Sequence, residues 1–466
     1  MASHGFEPHS SVIGHRGRSD QDGTTFGHMF GYLESLSVER AALIELGAAA
    51  GPMNAGAHPA ENPDIPLGFV FLGQFIDHDI TLDTTSSLDA RSRPREVVNV
   101  RTPALDLDCV YGRGPEASPY LYLSNGEFAG IKLLTGRDGT DLPRNRETVD
   151  GGEQPRRALI GDPRNDENRV VSQLQLMFLK FHNAVVDHLA SAHGLAGKPL
   201  FEEAQRLVRW HYQWMVVHEF LPKIAGRRRT RRALHWRRFY RPHKRVYMPV
   251  EFSVAAYRYG HSQVPSTMKL QPQAPAHGLF SAAFGRGFQP VTSDDEVVDW
   301  AAFFDTGGGA PQLSHKIDTK IDPSLLELPA PIVGPDADPS MASLASRNLL
   351  RHWTYGLPAG EHVAAAMNIS PLDPGQLWAG VAPSLAAKFS DGAPLWYYIL
   401  KESEIRRDGH KLGPVGGHIV AEVLVGLMQL DSTAYLCADP GWVPTLPRAD
   451  ADTFRMSDII ALAAQA

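Results

Sequence analysis

Three side chains suited to acid–base or ligand chemistry crowd into Gly-Gln-Phe-Ile-Asp-His-Asp, positions 73 to 79. Gln74 and His78 stand i,i+4 and Gln74 and Asp77 i,i+3, so a helix sets all three on one face. Leu67, Phe69, Val70, Phe71, Leu72, Phe75 and Ile76 surround them, which predicts a helix over Leu67 to His78 buried on most sides. A lone histidine there reads as a satisfied core residue. Three clustered polar groups argue otherwise, since each costs about 1–3 kcal/mol if buried unpaired.

Further candidates follow along the chain. Thr102, Asp106 and Asp108 in Thr-Pro-Ala-Leu-Asp-Leu-Asp, with backbone carbonyls such as that of Ala104 between them, offer the hard oxygens that calcium takes. The spacing is not that of an EF-hand, and an exposed turn is the plain alternative. Asp79 completes the site if the two segments meet. In Gly-Asp-Pro-Arg-Asn-Asp-Glu-Asn, positions 161 to 168, Pro163 and the acids mark a helix start, and Arg164 precedes Glu167 by three. Tyr257-Arg258-Tyr259-Gly260-His261 holds an aromatic-flanked histidine, and Asn348 and Arg351 share a helix face. Each of these taken singly also fits core or surface.

The elements that must position these residues are mostly helical. Apolar residues near helical spacing run from Glu167 to Ala190 and from Phe201 to Ala225; Ser340 to Trp353, Gly416 to Leu430 and Ser457 to Ala464 also read as helices. Ser293 and Glu296 fit a capping box ahead of another, over Val297 to Phe303. Strand signals are few, no repeat is visible, and Gly 42 with Pro 35 in 466 residues predicts long irregular connections. Residues 1–60 read as a loosely ordered arm, 61–445 as one folding unit and 446–466 as a tail with a short helix.

Composition excludes several classes. At 43% hydrophobic and 21% charged the chain can offset its ordering entropy, so global disorder is excluded. No apolar stretch reaches the roughly 20 residues a bilayer helix needs. Two cysteines, Cys109 and Cys437, exclude a disulfide scaffold or a four-cysteine zinc site. The net charge is −7, although Arg227 to Arg245 holds only basic charge; a solvated face or intramolecular counter-charge is expected there, and no nucleic-acid partner. The first residues have no basic region followed by an apolar one, which reads as cytoplasmic by sequence but leaves the compartment open.

Taken jointly and in order, these segments resemble the animal-type haem peroxidase family of the peroxidase–cyclooxygenase superfamily, in a compact bacterial form. The resemblance covers about residues 25 to 440. Gly-Gln-Phe-Ile-Asp-His-Asp resembles the distal segment, Leu-Asp-Leu-Asp-Cys-Val-Tyr-Gly the calcium loop, and the run from Gly161 through Phe181-His182-Asn183 the catalytic-arginine helix. Ala-Tyr-Arg-Tyr-Gly-His resembles the haem-ligand segment, and Arg-Asn-Leu-Leu-Arg the segment below the haem. It implies a mainly α, single-domain fold holding haem b or an ester-linked haem, with Ca2+.

The resemblance implies roles position by position. His78 is the distal histidine, Arg164 its partner and Gln74 the residue beside the distal water. His261 ligates iron and Asn348 bonds its other nitrogen, while Arg258 and Arg351 meet the propionates. Asp77 and Glu167 are the ester-forming carboxylates; Asn168 stands where one relative has a sulfonium-forming methionine, so no such bond is expected. Calcium falls to Asp79, Thr102, Ala104, Asp106 and Asp108. The implied activity reduces hydrogen peroxide through a ferryl intermediate and oxidises halide, thiocyanate or phenols. Fatty-acid dioxygenases of the superfamily carry a tyrosine three residues before the proximal histidine, where this chain has Arg258. A non-haem metal hydrolase lacks a close-spaced motif such as HExxH, and a calcium-stabilised binding module without catalysis is the remaining alternative.

Overall fold

In the computed structural model the apolar run around Phe75 forms helix Gly68–Ile80, and Phe75 stacks on Phe178 of helix Arg169–His193 with ring centroids 4.6 Å apart. The structure describes residues 25–56, 59–149, 152–154, 157–242, 245–281, 284, 287–333 and 338–466. Asn168 starts the second of these helices by accepting the Val171 N–H at 2.9 Å, and Gly194, at φ 62°, ends it. Tyr212, from helix Gly197–Met215, sets its ring edge-on to both phenylalanines. The fold is mainly α, as expected. Strands among the described residues form only two-stranded ladders, including Phe26–Gly27 parallel to Met248–Pro249 and Glu61–Pro66 antiparallel to Leu313–His315.

Two expected helices differ. The one expected over Phe201 to Ala225 widens into π-type turns at Val216–Phe220 and Pro222–Gly226 before continuing as helix Arg227–His235. Pro222 has no N–H for an α-turn and its ring would strike the carbonyl a turn back; a wider turn lets the chain stay helical past it. The capping box at Ser293 gives only short 3-10 turns, Asp294–Glu296 and Trp300–Ala302. Glu296 is drawn away to Arg169 at 3.1 Å and to the Thr292 N–H at 2.9 Å.

The proximal half rests on helices Leu344–Tyr355, Leu395–Arg407 and Pro414–Leu430. Pro414 opens the last, and buried Glu402 accepts the Val415 N–H at 2.8 Å, satisfying a donor that has no partner inside the helix. Residues 1–24 of the expected arm lie outside the described residues. In its remainder, helix Arg40–Gly47 packs on Leu344–Tyr355 so closely that a Cβ on Gly47 would lie 2.5 Å from the Ser346 nitrogen. Buried Glu251 accepts the N–H groups of Met29 and Phe30 at 2.9 and 3.1 Å. At the other end, His211 accepts the Thr445 and Leu446 N–H groups, and helix Met456–Ala463 lies on Arg169–His193. No helix among the described residues is long and apolar enough to cross a membrane.

Candidate active site

Helix Gly68–Ile80 carries His78 in its last turn, buried at 6% exposure. Its Nδ1 lies 2.7 Å from Oδ1 of Asn165, a contact that requires the proton on Nδ1 and leaves the Nε2 lone pair without a protein hydrogen bond. Burial first and the Arg164 guanidinium second push the imidazole down to about 3, so it is neutral at ordinary pH. Glu167 Oε1 is 3.9 Å from Nε2 and accepts a hydrogen bond from Gln74. That carboxylate is 39% exposed, yet burial, only partly offset by Arg164, raises it to about 7. Asp77 is also raised by burial, against the pull of Arg164 and Arg258.

Arg164 is held from two sides. Asp162 takes its Nε and Nη2 at 3.1 and 2.8 Å, and Nη2 also donates to the carbonyls of His78 and Thr81 at 3.1 and 2.6 Å. The guanidinium thus closes the C-terminal end of the His78 helix, where carbonyls lack partners. Burial opposes ionisation of Asp162, but Arg164 and then Arg101 outweigh it and bring it down to about 2. Nη1 of Arg164 makes no hydrogen bond among the described residues.

His261 lies in the last turn of the 3-10 segment Ala256–Ser262, which packs against the His78 helix; Tyr259 OH is 3.7 Å from where a Cβ on Gly73 would stand. Burial and then Arg258 lower its imidazole to about 3. Nδ1 of His261 faces Nδ2 of fully buried Asn348 at 2.7 Å, while Oδ1 of Asn348 accepts from Arg258 at 2.6 Å. Arg351 donates to Ser86 and pairs with Asp83 at 3.4 Å.

The structure brings together Asp79, Asp106 and Asp108, with one oxygen of each within 4.8 Å of the others. Burial and mutual repulsion raise Asp79 well above the carboxylate range and Asp106 to about 8; burial also raises Asp108, against Arg101. Such a cluster fits a divalent cation better than three free carboxylates. Between the last two, Leu107 holds φ 58°, a conformation a leucine rarely adopts. The Thr102 N–H points at Asp108 at 3.5 Å, and Ala104 is buried in the same loop. Arg101 then bridges Asp108 at 3.0 Å to Asp162 at 3.4 Å, tying this loop to the Arg164 segment.

Residues 84–358, more than half of the chain, match the model of the animal haem peroxidase domain. The chain belongs to the animal haem peroxidase family. The matched span includes Arg164, His261, Asn348 and the Thr102–Asp108 loop; His78 lies just before it. A chorion peroxidase of Drosophila melanogaster is 25% identical over 268 residues, 54% of this chain and 33% of that protein, so the chain spans about a third of that relative. Peroxidase A from Dictyostelium discoideum superposes with TM-score 0.59 at 15% identity over 88% of each chain. A fatty acid alpha-dioxygenase of Arabidopsis thaliana does so with TM-score 0.59 at 15% identity, over 86% of this chain and 71% of that one. The fold is therefore shared by peroxidase and dioxygenase, and site residues must separate the two.

The residues fit the haem that the family implies. Two neutral imidazoles sit on segments packed against each other with Nε2 free of protein hydrogen bonds; Nδ1 of His78 donates to Asn165, whereas Nδ1 of His261 accepts from the Asn348 NH2. Asn165, Asp162 and Arg101 were not singled out from the sequence. The polar run Asp162 to Asn168 was the available signal for the first two; nothing local to Arg101 announces its role.

Proposed function

We propose that the chain is a haem-dependent peroxidase that reduces hydrogen peroxide and oxidises a small donor: halide, thiocyanate or a phenol. The single observation that carries this reading is the neutral His78 with Nε2 free, beside Arg164. Bound haem supplies the redox chemistry that peroxide reduction requires. His261 would ligate it, Arg258 and Arg351 would meet its propionates, and Asp77 and Glu167 would be the carboxylates available for ester links.

His78 Nε2 takes the proton from one peroxide oxygen and returns it to the other, so that the departing oxygen leaves as water. The Nδ1 bond to Asn165 keeps Nε2 as the basic atom throughout. Arg164, always charged, stabilises negative charge as the O–O bond breaks, and its bonds to Asp162 fix it beforehand. Gln74 orients water or peroxide beside them. Calcium on Asp79, Asp106 and Asp108, with Thr102 and the Ala104 carbonyl, fixes the residue next to His78 and takes no part in the chemistry. Arg258, three residues before His261, favours peroxidation over lipid oxygenation, which would need a tyrosine there.

Replacing His78 by Ala is expected to abolish the peroxide-induced shift of the Soret band while haem stays bound. Replacing His261 is expected to compromise haem binding. Equal haem loss in both variants, or uptake of oxygen with an unsaturated fatty acid and no peroxide, would overturn the reading.

A further inference from the structure

One concentration of charge lies outside the site. Helix Arg227–His235 buries Thr230 and Ala233 against helix Pro414–Leu430 and leaves Arg227, Arg228, Arg231, Arg232 and His235 exposed. Arg227 with Arg231 and Arg228 with Arg232 are like-charged i,i+4 pairs. Arg227 and Arg228 also occupy the first turn, where positive charge opposes the helix dipole. Both features work against the helix.

Acids nearby do not relieve them. Among the described residues no carboxylate pairs with Arg227, Arg228, Arg231, Arg232, Arg238 or Arg241. Glu422, 1% exposed, spends one oxygen on the N–H groups of Arg238, Phe239 and Tyr240 at 2.8, 2.6 and 3.1 Å. Glu402 is fully buried and bound to Val415 and Arg406. Among the described residues, then, no carboxylate neutralises this face.

An apolar element stands in the same patch. Trp236 is 60% exposed, with the Arg241 guanidinium 5.8 Å from its ring centroid. Leu430, 36% exposed, closes a shallow cavity of about 340 Å³ that Trp236, Arg237 and Arg241 also line.

We infer that this face docks on a membrane surface rich in anionic phospholipid. Guanidinium groups pair bidentately with phosphate oxygens, and tryptophan settles at the headgroup level, where its ring is apolar and its N–H stays wet. Several basic side chains near an anionic leaflet attract it additively, and one inserted tryptophan adds the apolar share that makes such binding persist. A duplex nucleic acid or sulfated glycan would use the arginines but gives no role to Trp236 and Leu430. The remainder of the chain is net acidic and would repel a polyanion that wraps it, whereas a flat surface meets only this face.

The test is sedimentation of the full chain with vesicles of phosphatidylcholine alone, or of phosphatidylcholine with phosphatidylglycerol. Binding is expected only to the second, weakening as salt is raised. An Arg228→Gln, Arg232→Gln double variant should bind those vesicles at least about tenfold less, and Trp236→Ala should lose the fraction that survives high salt. Peroxide turnover in solution should not change in either. The double variant should melt no lower than the parent, since it removes like-charge repulsion, which separates lost docking from lost folding. Equal binding to both vesicle types, no binding to the anionic ones, or displacement from them by duplex DNA or heparin would overturn the inference.

Discussion

His78 and Asn165, 87 positions apart in the chain, are joined by a 2.7 Å contact between imidazole Nδ1 and the amide oxygen. The orientation of that amide is fixed from behind: its NH2 donates to Gln175 at 2.8 Å, and the Gln175 NH2 donates to the Cys109 carbonyl at 3.0 Å. One chain of buried hydrogen bonds therefore runs from the distal imidazole to the residue that follows Asp108.

Replacing Asn165 by Ala frees the His78 ring to rotate or change tautomer. The second-order rate constant for peroxide should fall about 10- to 100-fold, read by stopped-flow absorbance, with haem content unchanged. A rate within twofold of the parent would mean that the ring is held by something else.

On the other face, Asn348 offers its NH2 to His261 because Arg258 occupies its oxygen. Ligation through Nε2 needs the reverse, an Nδ1–H donated to that oxygen. If His261 holds haem as proposed, Asn348→Asp, an acceptor with charge, should make it more imidazolate-like. The iron midpoint potential of Asn348→Asp should fall, measured by spectroelectrochemical titration; an unchanged or higher value would remove Asn348 from that role.

Calcium affinity should depend on pH with a definite sign. Without a cation Asp106 is raised to about 8, mostly by burial and then by Asp108, so below that pH binding must first displace a proton. Affinity should rise with pH between 6 and 8, and chelation at neutral pH should take up protons. Titration calorimetry in buffers of different ionisation enthalpy reads both effects; pH-independent affinity would contradict the cluster's role.

At Gly161 the Arg164 segment presses against the Asp108 loop. A Cβ there would lie 2.3 Å from the Asp108 carbonyl oxygen, and the Gly161 N–H donates to Cys109 at 2.9 Å. Gly161→Ala should cost about 1–3 kcal/mol by overpacking, lower the melting temperature, and weaken calcium binding together with peroxide reactivity. A variant as stable and reactive as the parent would show that the segments can separate freely.

The sequence by itself determined the long helices and which donors and acceptors its short motifs carry. Apolar spacing along Leu67 to His78 or Glu167 to Ala190 is a local property, since one buried face needs only a period, whatever covers it. The short motifs likewise carry the donors and acceptors themselves. Local signals failed where a distant partner competed: Glu296 left its capping box for Arg169, and Pro222 changed the kind of turn without ending the helix. Only the tertiary structure decided the tautomer of His78, the bridge from Asp108 through Arg101 to Asp162, and the meeting of Asp79 with Asp106 and Asp108. Those relations join residues tens of positions apart, and a hydrogen bond or a raised carboxylate depends on distance and burial in space, which no spacing along the chain encodes.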